Sequence, residues 1–171
     1  MAIETAAYEV LESDGKVEIR AYAPLMTAAV EEKDIENTSG FGTIFQYIGG
    51  NNENREKISM TTPVINELHE EGSTTEFVMP SKYDTSTLPK PSNEKIKIKH
   101  TEARVVLCIT FNGRVTDERV KYFKHLLLHY AKTKNLETTG VFRLARYNPP
   151  FVPAVFRHNE LLIDLKGYEK A

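Results

Sequence analysis

Phe41, Ile44, Phe45 and Ile48 stand at i, i+3, i+4 and i+7, a spacing that only a helix turns into one continuous apolar face. Gly49-Gly50 follows at once, where a helix needs residues able to adopt positive φ, so the chain is committed to a short helix that must cover something apolar and then stop. Asn37, Thr38 and Ser39 offer caps for its start. The run N-N-E-N-R-E-K behind the glycines reads as a polar turn back to a sheet. The next stretch, M-T-T-P-V, sets Pro63 between apolar residues 58–60 and 64–65. Proline donates no ladder hydrogen bond, which predicts a sheet edge or a bulge there.

Around this helix the other elements fall into order. Asp14-Gly15 between residues 8–11 and 17–22 predicts a β-hairpin, and residues 25–31 and 74–79 read as further strands, the latter ended by Pro80. Residues 81–93, rich in proline and turn formers, read as a crossing loop. Beyond it come a strand at 105–111, a helix at 120–132 begun by T-D-E-R, and strands at 141–146 and 161–165. Each half thus runs β-α-β-β, the first over about 25–80 and the second over about 103–166 of a single domain spanning 1–171. Two such units can join their strands into one curved antiparallel sheet with both helices covering it, an α+β fold.

Lysine and arginine number 22 against 24 acids, so no basic excess recruits nucleic acid. No window is long and apolar enough to span a bilayer, and the N-terminus lacks a signal-peptide pattern. The single cysteine, Cys108, lies in the apolar run V-V-L-C-I and predicts a buried core residue in a reducing, cytoplasmic setting. His125 and His129 share a helix face at i, i+4, but H-L-L-L-H carries no carboxylate to activate water and brings no third ligand. G-F-G at residues 40–42 lacks the rest of a phosphate loop, and no catalytic set emerges. What stands out is R-Y-N-P-P-F-V-P-A-V-F-R-H-N-E, an irregular proline-rich stretch at 146–160 that carries Tyr147, Phe151, Val152, Val155 and Phe156. It reads either as a lid on its own core or as a binding wall.

Several segments together resemble the SOUL heme-binding protein family: V-E-I-R-A-Y-A-P, F-Q-Y-I-G-G-N-N, K-I-S-M-T-T-P-V, F-V-M-P-S-K-Y with L-P-K-P, and A-R-Y-N-P-P-F-V-P with R-H-N-E-L. They occur in family order from about Tyr8 to Leu165. The resemblance implies a distorted antiparallel β-barrel or saddle with two helices packed on it. It also implies reversible binding of heme or another porphyrin, as carrier or buffer, in a shallow apolar cleft and without a structural metal. Carried over by position, Phe41, Ile44, Phe45 and Ile48 form one wall of the cleft, and Tyr147, Phe151, Val152 and Phe156 the other. Arg157 and His158 are the expected propionate partners, and His158 is the candidate for heme iron. Met60 and Pro63 belong to the signature that shapes the sheet edge beneath the helix. Ala21 stands where some members carry a histidine proposed as iron ligand, which excludes ligation through that position.

Two other readings remain at the level of sequence. A small-molecule hydrolase on a gyrase-inhibitor-like fold would use a cleft glutamate of raised pKa, for which Glu9, Glu18 and Glu160 are placed in or beside strands. A protein-interaction module would use exposed apolar residues on the helix at 120–132. The sequence names no protein partner.

Overall fold

The computed structural model of the chain describes residues 3–33 and 39–169. Its strands are β1 (Glu4–Thr5), β2 (Tyr8–Asp14), β3 (Val17–Tyr22), β4 (Leu25–Glu32), β5 (Thr61–Thr62), β6 (Val64–Leu68), β7 (Ser73–Val78), β8 (Lys97–Thr101), β9 (Arg104–Asn112), β10 (Thr138–Arg146) and β11 (His158–Leu165). Two helices, α1 (Ser39–Ile48) and α2 (Asp117–Thr133), and a 3-10 turn (Ala154–Phe156) complete it. Nine strands make one antiparallel sheet in the order β2-β3-β9-β11-β10-β6-β7-β4-β8, and β1 pairs in parallel with β5 outside it. Read outward from the β6–β10 seam, β6-β7-β4 mirrors β10-β11-β9. The two β-α-β-β units therefore stand side by side, α1 on β4 and β7, α2 on β9 and β11. The sheet is an open saddle and does not close into a barrel, with β2 and β8 as its edges among the described residues.

Strand alternation sorts the core into two sides. Beneath α2, Leu107, Ile109, Phe111, Leu144, Leu161 and Ile163 pack against Val120, Leu127 and Ala131. Beneath α1, Ala28, Val30 and Phe77 meet Ile44, Tyr47 and Ile48. The opposite, helix-free side holds Tyr22, Ile65, Val78, Val106, Cys108 and Leu162, joined by Ala6 from the N-terminal segment. No helix among the described residues is long and apolar enough to cross a membrane.

Both helix ends follow from local chemistry. α2 starts at Thr116, whose hydroxyl accepts from Arg119 N at 3.2 Å, with Asp117 and Glu118 in the first turn and Lys132 in the last, each charge matched to the helix dipole. α1 stops as its glycines predict: Asn51 N donates to Gln46 O at 3.0 Å and Gly50 N to Tyr47 O at 3.2 Å, while Gly50 takes φ +123°. The expected caps Asn37 and Thr38 lie outside the described residues. The start of α1 is instead met by Glu32 of β4, whose carboxylate accepts from Gly40 N. A Cβ on Gly40 would come within 2.8 Å of that side chain, so a larger residue there would push the Glu32 carboxylate aside.

Two expectations change. Pro63 lies not at a sheet edge but at the threshold of β6, a central strand whose pairing to β10 and β7 begins only at Val64. A missing N–H costs nothing before the ladder starts. Residues 58–60 form no strand, and Lys97–Thr101 pairs as β8, for which the period-two alternation of I-K-I-K at 96–99 was the available signal.

The turn after α1 is held by one buried side chain. Asn52 Nδ2 donates to Tyr47 O at 3.1 Å and Glu56 O at 2.8 Å, and its Oδ1 accepts from Asn54 N at 3.2 Å and Glu56 N at 3.1 Å. At about 1 kcal/mol net per hydrogen bond, Asn52→Ala is expected to destabilise the protein by roughly 2–4 kcal/mol, read as a lowered urea midpoint with an unchanged m-value.

Candidate functional site

The face of α1 that the sequence marks as apolar divides on folding. Ile44 and Ile48 are buried in the core with Tyr47, whose hydroxyl donates to Pro89 O at 2.5 Å and whose pKa burial pushes up to about 12. Phe41 is half-buried against Phe77, with ring centroids 5.0 Å apart, and stacks on Phe45 at 5.9 Å. Phe45 turns outward and stays 52% exposed. The helix therefore offers one aromatic ring and the flank of a second, and its isoleucines fix their position.

The proline-rich loop between β10 and β11 is irregular yet tied. Arg157 Nε donates to Val152 O at 2.8 Å and its Nη2 to Pro150 O at 2.7 Å. His158 N donates to Asn148 Oδ1 at 2.6 Å, and Tyr147 N to His158 O at 3.1 Å. Pro149, Pro150 and Pro153 limit the backbone further. On this stiffened strap Phe151 is 85% and Phe156 71% exposed, with Val155 exposed beside them and Val152 half-buried. Covering its own core would have turned these rings inward, so the loop is not a simple lid. Arg157, the expected propionate partner, also serves as the staple of its loop.

Arg146, at the end of β10 on the helix side, links the two walls. It pairs with Val64 of β6, Val64 pairs with Phe77 of β7, and Phe41 of α1 packs on Phe77, so the register carries the base of the loop toward α1. Phe41 and Phe45 on α1 and Phe151, Val152, Phe156 and Arg157 on the loop thus belong to the same end of the central strands.

Tyr147 and His158 go elsewhere. Both point to the helix-free side, where Glu160 collects four hydrogen bonds: Arg20 Nη1 at 2.8 Å, Arg20 Nη2 at 2.9 Å, Tyr147 Oη at 2.9 Å and His158 Nε2 at 2.8 Å. Arg20 is further bound by Glu18 at 2.6 Å and lies 4.2 Å over the Tyr8 ring. His158 Nε2 is thereby occupied by a carboxylate, and its ring packs edge-on to Tyr147 at 4.9 Å. Burial pushes the Glu160 carboxyl upward, but the hydrogen bonds from Arg20, His158 and Tyr147 outweigh it and hold the group below its ordinary range. The hydrolase reading asked for a cleft glutamate of raised pKa, and Glu160 is displaced the other way. Sequence reasoning did not foresee this cluster, because Arg20 and Glu160 stand 140 positions apart.

His125 and His129 are both exposed on the outer face of α2, and no group of three or more potential ligands able to hold a metal ion occurs among the described residues. Tyr122, Leu126 and Leu128 are exposed on the same helix.

The fold agrees with what comparison shows. The profile of the SOUL heme-binding protein family matches residues 3–164, and the chain belongs to that family. It is 28% identical to Heme-binding protein 1 of Mus musculus over 176 residues, covering 94% of this chain and 92% of that protein. It is also 28% identical to Heme-binding protein 2 of Mus musculus over 168 residues, covering 90% and 80%. Among solved structures the EcmrR C-terminal domain superposes with a TM-score of 0.65 at 10% identity over 94% of this chain and 99% of that one, a likeness of fold alone.

The Glu160 carboxyl titrates lower in the folded than in the unfolded chain, so its contribution to stability is complete above the ordinary carboxyl pKa of 4.5 and is lost as pH falls through the depressed folded value. Breaking a buried pair by removing one charge costs about 3–5 kcal/mol. Glu160→Gln is therefore expected to lose about that much at pH 7 and to show a flatter decline of urea midpoint below pH 4.5 than the parent protein.

Proposed function

We propose that this protein binds heme or a related tetrapyrrole reversibly, as a carrier or buffer, on the apolar surface formed by α1 and the 147–158 loop. The observation that carries the reading is the exposure of Phe45, Phe151 and Phe156 on two elements held rigid by their own hydrogen bonds. A flat macrocycle gains from stacking on aromatic rings that need no reordering. If ligand and protein together remove about 400–600 Å² of apolar surface from water, transfer supplies roughly 10–15 kcal/mol. Association costs about 4–15 kcal/mol, and the balance spans the roughly 8 kcal/mol of micromolar binding. Phe41, Phe45, Phe151, Val152 and Phe156 supply the contact in this reading, Ile44 and Ile48 fix the helix, and Arg157 faces a propionate. Tyr147 and His158 anchor the loop through Glu160. Cytoplasmic residence belongs to the same reading, supported by the single buried cysteine.

Hemin and zinc protoporphyrin, titrated by absorbance, are expected to bind with micromolar affinities within a few-fold of each other. Phe45→Asp and Phe151→Asp should each weaken both ligands at least tenfold. Affinities unmoved by either substitution would sink the assignment of this surface.

A further inference from the structure

A ladder of alternating charge crosses the helix-free side of the sheet. Thr27 Oγ1 donates to Glu76 at 2.8 Å, Lys99 bridges Glu76 at 3.1 Å and Glu67 at 3.3 Å, Arg143 joins Glu67 at 3.6 Å, and Asp164 is taken by Arg143. The last rung is incomplete. Arg104 of β9 has only 13% of its side chain exposed, its Nε finds no hydrogen-bond partner, and its nearest acid, Asp164, stays 4.0 Å away. A buried N–H donor without a hydrogen bond is costly, and the Nε of Arg104 is one. Burial and then Arg143 lower its pKa, and Asp164, Glu76 and Tyr22 do not make up the difference.

Arg104 borders a depression of about 460 Å³ whose other walls include Ala21, Tyr22, Val105, Thr139, Leu165 and Tyr168. It lies at the Thr138 and Leu165 ends of β10 and β11, whereas the 147–158 loop joins their opposite ends. At about 3.3 Å per residue the two places are roughly 20 Å apart. Apart from Arg104 and Asp164 the walls are largely apolar or aromatic, the volume suits a small molecule, and although the three cations and three acids of the ladder balance, the Nε of Arg104 is the donor left without an acceptor. We propose that this depression is a second binding site, which takes a small monocarboxylate whose apolar body lies on Leu165 and Tyr168 while its carboxylate completes the fork of Arg104. A guanidinium offers paired N–H groups at carboxylate spacing. A phosphate dianion would set a second negative charge against Asp164 and has no apolar body to lie on Leu165 and Tyr168.

Benzoate is the probe, with benzyl alcohol as its neutral counterpart and inorganic phosphate as the small oxyanion, each titrated into the full chain while backbone amide shifts of Ala103, Thr139 and Leu165 are followed by NMR. Benzoate is expected to shift these amides saturably, with benzyl alcohol and phosphate at least tenfold weaker. Arg104→Gln and Ala103→Trp, the second filling the depression with the guanidinium left in place, should each weaken benzoate at least tenfold and leave the hemin affinity unchanged. Benzoate binding unaltered by both substitutions, phosphate binding as tight as benzoate, or no shift at these three amides would each overturn the proposal.

Discussion

Arg20 and Glu160 are both almost wholly buried, and each would be prohibitive alone in that setting. Their two-pronged contact ties β3 to β11 across β9, so it fixes how the N-terminal hairpin sits on the second repeat. The same carboxylate receives Tyr147 and His158, the residues at which the apolar loop leaves β10 and enters β11. One ion pair on the helix-free side therefore orders the base of a loop whose tip lies at the edge of the helix side. The loop can display three apolar side chains to solvent without collapsing because its footing is polar and fully hydrogen-bonded.

The elements of regular repeat were legible in the sequence, and the reasons are local. The apolar spacing of α1, the glycines that end it, the threonine cap of α2 and the Asp14-Gly15 hairpin each act within a few residues. Their geometry follows from near neighbours whatever the rest of the chain does. Pro63 misled because its constraint is real but its position in the sheet is set by distant strands: a proline before the first ladder bond is tolerated in the middle of a sheet as readily as at its margin. The N-N-E-N turn looked merely polar, although one of its asparagines is buried and satisfies four backbone groups.

The candidate site was legible only by segment. Family likeness pointed to α1 and the 146–160 stretch, and both do gather exposed apolar surface. It could not say which side chains of those segments turn outward. Alternation along β10 and β11 sends Tyr147 and His158 to the far side of the sheet, and packing on β4 and β7 takes Ile44 and Ile48 into the core. On the proposed reading, what remains for a ligand is a ridge of rings on two stiff supports. A platform of this kind discriminates by flatness and size more than by enclosure.

The mirrored strand order has a mechanical corollary. Three strands of each repeat lie beneath its own helix, and within the sheet the halves join along four backbone pairs, Val64–Glu67 against Arg143–Arg146, with β1 on β5 as a second tie. A tensile load applied across the saddle would meet that suture and the β1–β5 tie together, so the N-terminal strand acts as a strap over the joint.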